Sequence, residues 1–201
     1  MISNSQNKAY TQQNKSSEEL DKKVTEFLKM HANNWHDLNV PYSDGQLLYG
    51  IIVKNHYQKA VEIGTSTGHS GIWIAWALSR TGGKLITIEI NEERYKEALQ
   101  NFEKSGVAKF VDARLGDAHQ LVPKLEGPFD FVFSDADKDW YTNYFKALTA
   151  KLNVGGCFTA HNVGMPGVVE YLDYVSKLPN FSTTVDTHGA GMAISYKTKE
   201  K

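Results

Sequence analysis

From residue 60 to residue 160 the chain alternates short strand-like runs with longer amphipathic stretches, and this alternation constrains its fold most. Strand character falls at 60–63, 85–88, 111–115, 129–134 and 157–160, while 70–79, 92–105, 118–125 and 141–152 carry apolar residues at helical spacing. Strands separated by helices form a parallel sheet covered on both faces. Right-handed crossovers then bring every strand's C-terminal end to one edge, where such sheets bind ligands. The tail breaks the pattern: a helix at 168–177 precedes two short strands at 181–185 and 192–196, which read as an antiparallel hairpin. The expected fold is α/β, a mostly parallel sheet with a C-terminal antiparallel hairpin and helices on both faces.

Ahead of the sheet, residues 1–17 are rich in Asn, Gln, Ser and Lys. They lack the apolar core of a signal peptide, so a flexible tail over 1–16 and one domain over 17–201 are expected, in the cytoplasm. Ser16 with Glu19 reads as a capping box, and Leu20, Val24, Phe27, Leu28 and His31 form one apolar stripe behind it. Ser43 with Gln46 reads as a second box, opening a helix that carries Leu47, Leu48, Ile51 and Ile52. A formal net charge of -1 gives no pull toward nucleic acid. No run approaches the roughly 20 apolar residues that span a bilayer, so no membrane partner is expected. Cys157, the single cysteine, excludes an intrachain disulfide and reads as a small buried hydrophobe.

The strand ends carry the chemistry. The first opens into Gly64-Thr65-Ser66-Thr67-Gly68-His69-Ser70, a glycine turn that lets a ligand approach the backbone. Ser66 stands where a dinucleotide fingerprint needs its middle glycine. Glu62 beside the turn would repel phosphate and suit an ammonium or sulfonium group. Glu89 ends the second strand, where a carboxylate can accept from two ribose hydroxyls. Gly116-Asp117-Ala118 follows the third, a turn able to line an adenine. A cationic, phosphate-free nucleoside fits this succession better than NAD.

Three segments carry a resemblance: Asn39-Val40-Pro41 through Gly45-Gln46-Leu47-Leu48, Val61-Glu62-Ile63-Gly64 through Gly68-His69-Ser70, and Phe129-Asp130 through Ser134-Asp135-Ala136-Asp137-Lys138. Together they resemble the caffeoyl-CoA/catechol O-methyltransferase family over about 40–197. The resemblance implies a Rossmann-like, seven-stranded sheet and S-adenosylmethionine as cofactor. It matches Val40, Glu62, Gly64, Thr65, Ser70, Glu89, Ala118 and Asp135 to cofactor-contacting positions. Asp135 is matched to a metal ligand as well and Lys138 to the catalytic base. N-terminal helices of this family often shape the substrate mouth or a dimer contact, which implies a homodimer.

Methyl transfer to a phenol requires loss of a proton whose pKa lies near 10. A divalent cation can lower that pKa and orient two catechol oxygens, and a lysine beside it can take the proton. This chain departs from the family after the fifth strand, reading His161-Asn162 where most relatives read Asp-Asn. A metal site would then comprise Asp135, His161 and Asn162, better suited to zinc or a transition metal than to magnesium. His161 could alternatively be a catalytic base in a metal-free site, or packing only. The short segment Val163-Gly164-Met165-Pro166-Gly167 and the Gly189-Ala190-Gly191 turn speak for a small phenolic substrate rather than a CoA ester. Trp140, Met165 and Tyr42 are candidates to wall it. The alternatives are a metal-independent methyltransferase and a cofactor-binding protein whose catalytic site has decayed.

Overall fold

The computed structural model describes residues 4–33, 35 and 38–200. The first three residues of the expected tail lie outside the described residues. Among those described, the strands are β1 (Lys59–Ile63), β2 (Lys84–Glu89), β3 (Val111–Leu115), β4 (Phe129–Ser134), β5 (Leu152–His161), β6 (Phe181–Asp186) and β7 (Met192–Lys197). The α-helices are α1 (Asn4–Met30), α2 (Tyr42–Asn55), α3 (His69–Thr81), α4 (Glu92–Ser105), α5 (Ala118–Leu121), α6 (Tyr141–Thr149) and α7 (Pro166–Ser176).

All seven strands form one sheet in the order β3-β2-β1-β4-β5-β7-β6. β1 to β5 pair in parallel, and β7 runs antiparallel to both β5 and β6. The order reverses between β1 and β4, which leaves a crevice at their C-terminal ends. Position in the sheet explains each strand's composition. Central β4 buries Phe129, Phe131, Val132 and Phe133, as a strand covered on both faces must. Edge strand β3 instead carries the exposed Asp112 and the half-buried Arg114. One face packs Val132 and Phe158 under Tyr141, Phe145 and Tyr171. The other packs Phe131 and Phe133 under Leu48, Ile52 and Leu78.

Several boundaries differ from those the sequence suggests. α1 starts at Asn4, so Ser16 lies inside the helix and caps nothing. No Pro or Gly interrupts 4–15, so the backbone meets no breaker there. Val24, Phe27 and Leu28 pack against Ile72, Trp73, Ala98 and Phe102 of α3 and α4. The apolar stripe is therefore covered within the chain and gives no reason for a dimer. Pro41 occupies the N-cap of α2, while Ser43 Oγ donates to Asp44 Oδ1 at 3.1 Å instead of capping. α5 stops at Leu121 and continues as a 3-10 turn, Val122–Lys124, which contains Pro123. β5 begins at Leu152, with a register shift against β4 that absorbs the αL residue Gly155 (φ 83°). No helix among the described residues is long and apolar enough to cross a membrane.

Candidate active site

The C-terminal strand ends meet at one cavity of about 940 Å³. Gly64, Glu89, Asp117 and Ala118 line one end, and Asp135, Lys138, His161, Asn162 and Met165 line the other.

At the first end, backbone hydrogen bonds from Gly64 and Thr65 to the Ile88 carbonyl, at 3.0 and 3.1 Å, press the glycine turn onto β2. Gly64 has φ 96°, and a Cβ there would stand 2.7 Å from the Asp135 carbonyl oxygen. Only glycine lets the turn lie this close to the loop after β4. Glu89 braces the same turn: its Oε2 accepts from the Ser66 N–H at 2.7 Å and its Oε1 from the Asn91 N–H at 2.9 Å. Each carboxylate oxygen keeps a further lone pair, so ribose hydroxyls could still donate to it. Glu89, Asp117, Asp135 and Asp137 all line the cavity. Such a wall disfavours a pyrophosphate and suits a cationic nucleoside. The close glycine turn and this carboxylate wall fit S-adenosylmethionine.

Four expected contacts stand behind this wall. Glu62 is fully buried, and Thr87 Oγ1 donates to its Oε2 at 2.5 Å. Burial pushes its carboxyl up to about 8, against the opposing hydrogen bonds of Ser70 and Thr87. A carboxyl raised this far is mostly neutral near pH 7. The electrostatic case against phosphate therefore rests on Glu89 and the aspartates rather than on Glu62. Thr65 Oγ1 lies 2.5 Å from Thr87 Oγ1 and continues this buried chain. The Val40 carbonyl accepts from His69 Nδ1 at 2.9 Å, and Trp73 Nε1 donates to His69 Nε2 at 3.2 Å. These partners fix the tautomer of His69, which burial lowers to about 4 and keeps neutral. Val40, Thr65 and Ser70 are buried supports of the turn.

At the other end four titratable side chains stand in a row. Lys138 Nζ donates to Asp135 Oδ1 at 2.5 Å. His161 Nδ1 lies 3.2 Å from the same Oδ1, a charge contact whose angles fall short of a hydrogen bond. His161 Nε2 lies 2.7 Å from Asp44 Oδ2. Asp44 Oδ2 also accepts from the Ala190 N–H at 3.1 Å. Burial alone would lower the His161 pKa, but Asp135 and Asp44 outweigh it and hold the ring above its ordinary range. Asp44 is the residue sequence reasoning missed. The signal was present, since an acidic residue at 44 shares a helical stripe with Leu48, Ile51 and Ile52. A carboxylate on a buried stripe needs a partner. Of the three residues expected to wall the substrate, Met165 lines the cavity. Trp140 stacks on His119, with centroids 3.7 Å apart, and Tyr42 packs edge-on against Trp73.

The expected ligands Asp135, His161 and Asn162 line the same cavity but do not suit a divalent cation as placed. An imidazole nitrogen binds a metal only when it carries no proton. Here each nitrogen faces a carboxylate, and the Asp135 oxygen nearest the ring already holds Lys138. Asp44, His161 and Asp135 lie in a row with the imidazole in the middle. Among the described residues no group of three or more His, Cys, Asp or Glu surrounds a common point.

A sequence profile of the O-methyltransferase family matches residues 12–179. Caffeoyl-CoA O-methyltransferase 1 of Eucalyptus globulus is 35% identical over 153 residues, covering 74% of this chain and 61% of that protein. The caffeoyl-CoA O-methyltransferase of Petroselinum crispum is 37% identical over 141 residues, covering 67% and 58%. The chain thus spans about three fifths of the length of these curated relatives. Among solved structures, the O-methyltransferase of Bacillus cereus in complex with S-adenosylhomocysteine superposes with a TM-score of 0.78 at 25% identity, over 88% of this chain and 91% of that one. An O-methyltransferase of Streptomyces achromogenes involved in tomaymycin synthesis, solved with S-adenosylmethionine, gives 0.77 at 26% identity, over 88% and 90%. With the profile spanning most of the sequence and the sheet shared with these neighbours, the chain belongs to the O-methyltransferase family.

Proposed function

We propose that this chain transfers a methyl group from S-adenosylmethionine to a hydroxyl of a small, flat, catechol-like phenol. The observation that carries the reading is the single cavity that joins Glu89 and the glycine turn to Lys138 and Asp135. Its support from relatives is that two neighbours of similar fold were solved with S-adenosylhomocysteine or S-adenosylmethionine. S-adenosylmethionine supplies an electrophilic methyl group when bound.

The rest is work for the chain's own residues. Glu89 accepts hydrogen bonds from a ribose at one end. At the other, the Lys138 amine takes the acceptor's hydroxyl proton, and Asp135 stabilises the ammonium that forms. The phenolate is thereby left beside a cation. His161 is a poorer base here because both ring nitrogens already face carboxylates. Met165 offers an apolar, polarisable wall for a flat ring. The curated relatives are named for a CoA ester, yet the turn from Asn162 to Pro166 is short, which favours a smaller acceptor. A metal-assisted version of the same transfer is the second reading, motivated by Asp135, His161 and Asn162 sharing one wall.

The test is turnover with S-adenosylmethionine across catechols, monophenols and caffeoyl-CoA, with Lys138→Met alongside. Catechols should be the best acceptors. Lys138→Met should lower kcat by about two to four orders of magnitude with little change in cofactor affinity. Cofactor binding without turnover of any phenol would leave a binding protein and overturn the reading.

A further inference from the structure

We propose that the open edge of β3 is an interface for a second copy of this chain, the two β3 strands pairing antiparallel about a two-fold axis at Ala113. The proposal goes beyond the reaction proposed above and does not depend on it.

The backbone carries the first half of the argument. β3 ends the sheet and, among the described residues, pairs only with β2. The Gly116 N–H donates to the Glu89 carbonyl at 2.8 Å, so the residues in step with it, Arg114 and Asp112, turn their backbone groups toward β2. Val111, Ala113 and Leu115 turn theirs outward. The Val111 N–H is held by the Ala108 carbonyl. The Ala113 carbonyl receives a long 3.4 Å bond from the Tyr95 hydroxyl and keeps a second lone pair. The Ala113 and Leu115 N–H groups and the Val111 carbonyl are left as a template for another strand. Pairing about Ala113 uses them all. Ala113 exchanges N–H and carbonyl with Ala113 of the second copy, and each Leu115 N–H meets the Val111 carbonyl opposite.

Side chains then choose the partner. Asp112 and Arg114 flank Ala113 at equal distance with opposite charge, and their side chains are 49% and 38% exposed. In the paired strands each Asp112 stands opposite Arg114 of the second copy, at a position where cross-strand side chains come closest. Within one chain both Arg114 bonds go to Asp112 Oδ2, at 3.2 and 2.7 Å, so Oδ1 remains for the second copy's Arg114. A shift of two residues either way would set Asp112 against Asp112 or Arg114 against Arg114. A slip of one would set outward backbone groups against inward ones. Charges that usually guard an edge here specify one register and one partner. On the opposite face Val111 and Ala113 pack toward α4, and with Leu99 and Phe102 they line an open groove of about 680 Å³. Leu99 and Leu115 are 39% and 45% exposed there. Leu115 of the second copy, opposite Val111, covers that groove. The sheet's other edge, β6, carries one charged residue, Asp186, and has no such self-complement.

The experiment is sedimentation equilibrium of the full chain as wild type, D112R, R114D and the double reversal D112R/R114D, with circular dichroism confirming that each is folded. Wild type should be a dimer. Each single reversal should raise the dimer dissociation constant at least about tenfold, because both cross-strand pairs turn from attraction to repulsion. The double reversal should return it close to the wild-type value. A second measurement fixes the register and holds even if a reversal fails to fold. D112C and R114C, mixed and mildly oxidised, should form a disulfide-linked dimer faster than either alone, since buried Cys157 is not available to compete. A wild type that stays monomeric at high concentration would overturn the proposal. So would a dimer indifferent to both single reversals, a folded double reversal that does not recover, or cross-linking no faster in the mixture than in the separate variants.

Discussion

Glu62 is fully buried in β1, and burial, which disfavours the anion, pushes its carboxyl up from the ordinary 4.5 to about 8. Between those two values the folded protein holds a proton that the unfolded chain has released, so stability falls as pH rises through that window. Glu62→Gln cannot ionise and escapes this loss. Denaturant unfolding at pH 5 and pH 8 should show the variant gaining on wild type by at most about 1.4 kcal/mol per pH unit; a pH-independent difference would mean that Glu62 stays ionised. Glu89 differs in kind, because it holds the Ser66 and Asn91 N–H groups and also faces the cavity. Glu89→Ala should weaken S-adenosylmethionine by about 1.5–3 kcal/mol in calorimetry, the usual worth of hydrogen bonds to a charged group. Unchanged affinity would remove Glu89 from the cofactor site. The sequence made Glu89, Asp135 and Lys138 legible because strand ends and turn residues mark position along the chain. It could not separate Glu62 from Glu89, since both are acidic residues near strand ends and only three-dimensional packing decides which is buried. Asp44 lay hidden for a related reason: its partner His161 is distant in sequence and meets it only when α2 packs beside β5.

At the scale of elements, the strands were the most legible because composition follows depth in the sheet. β3 and β4 begin and end where their apolar patterns do. Helix starts were less so. Ser16-x-x-Glu19 and Ser43-x-x-Gln46 both have the form of a capping box, but a box caps only where the backbone leaves the helical region, and neither serine does so. The apolar stripe on α1 was also legible, though not its destination. Leu28, fully buried among residues of α3 and α4, measures how firmly α1 is docked. Leu28→Ala should cost about 2–5 kcal/mol in denaturant unfolding, as for other fully buried leucines. A loss below half a kcal/mol would show that α1 contributes little to the fold.

For the whole molecule, the sheet order determines where chemistry can occur. Placing β1 beside β4 brings the glycine turn after β1 to within contact of the Asp135 backbone, and β5 beside β4 brings His161 to the Asp135 side chain. Residues that would hold a nucleoside and residues that would handle a proton thus share one cavity, although they are spread from Gly64 to His161 along the chain. The alternation of strands and helices made this convergence foreseeable; the row from Lys138 to Asp44 was not, because it depends on side chains of separate elements meeting at close range. The central claim is methyl transfer to a phenolic oxygen, and the most direct test follows the methyl itself. Purified protein is incubated with catechol and S-adenosylmethionine labelled with 13C in the methyl group, and the product is analysed by mass spectrometry and NMR. The account predicts a 13C-labelled methyl ether on one catechol oxygen and an equal amount of S-adenosylhomocysteine. Label remaining on the cofactor, or appearing on carbon or nitrogen of an acceptor rather than on oxygen, would contradict it.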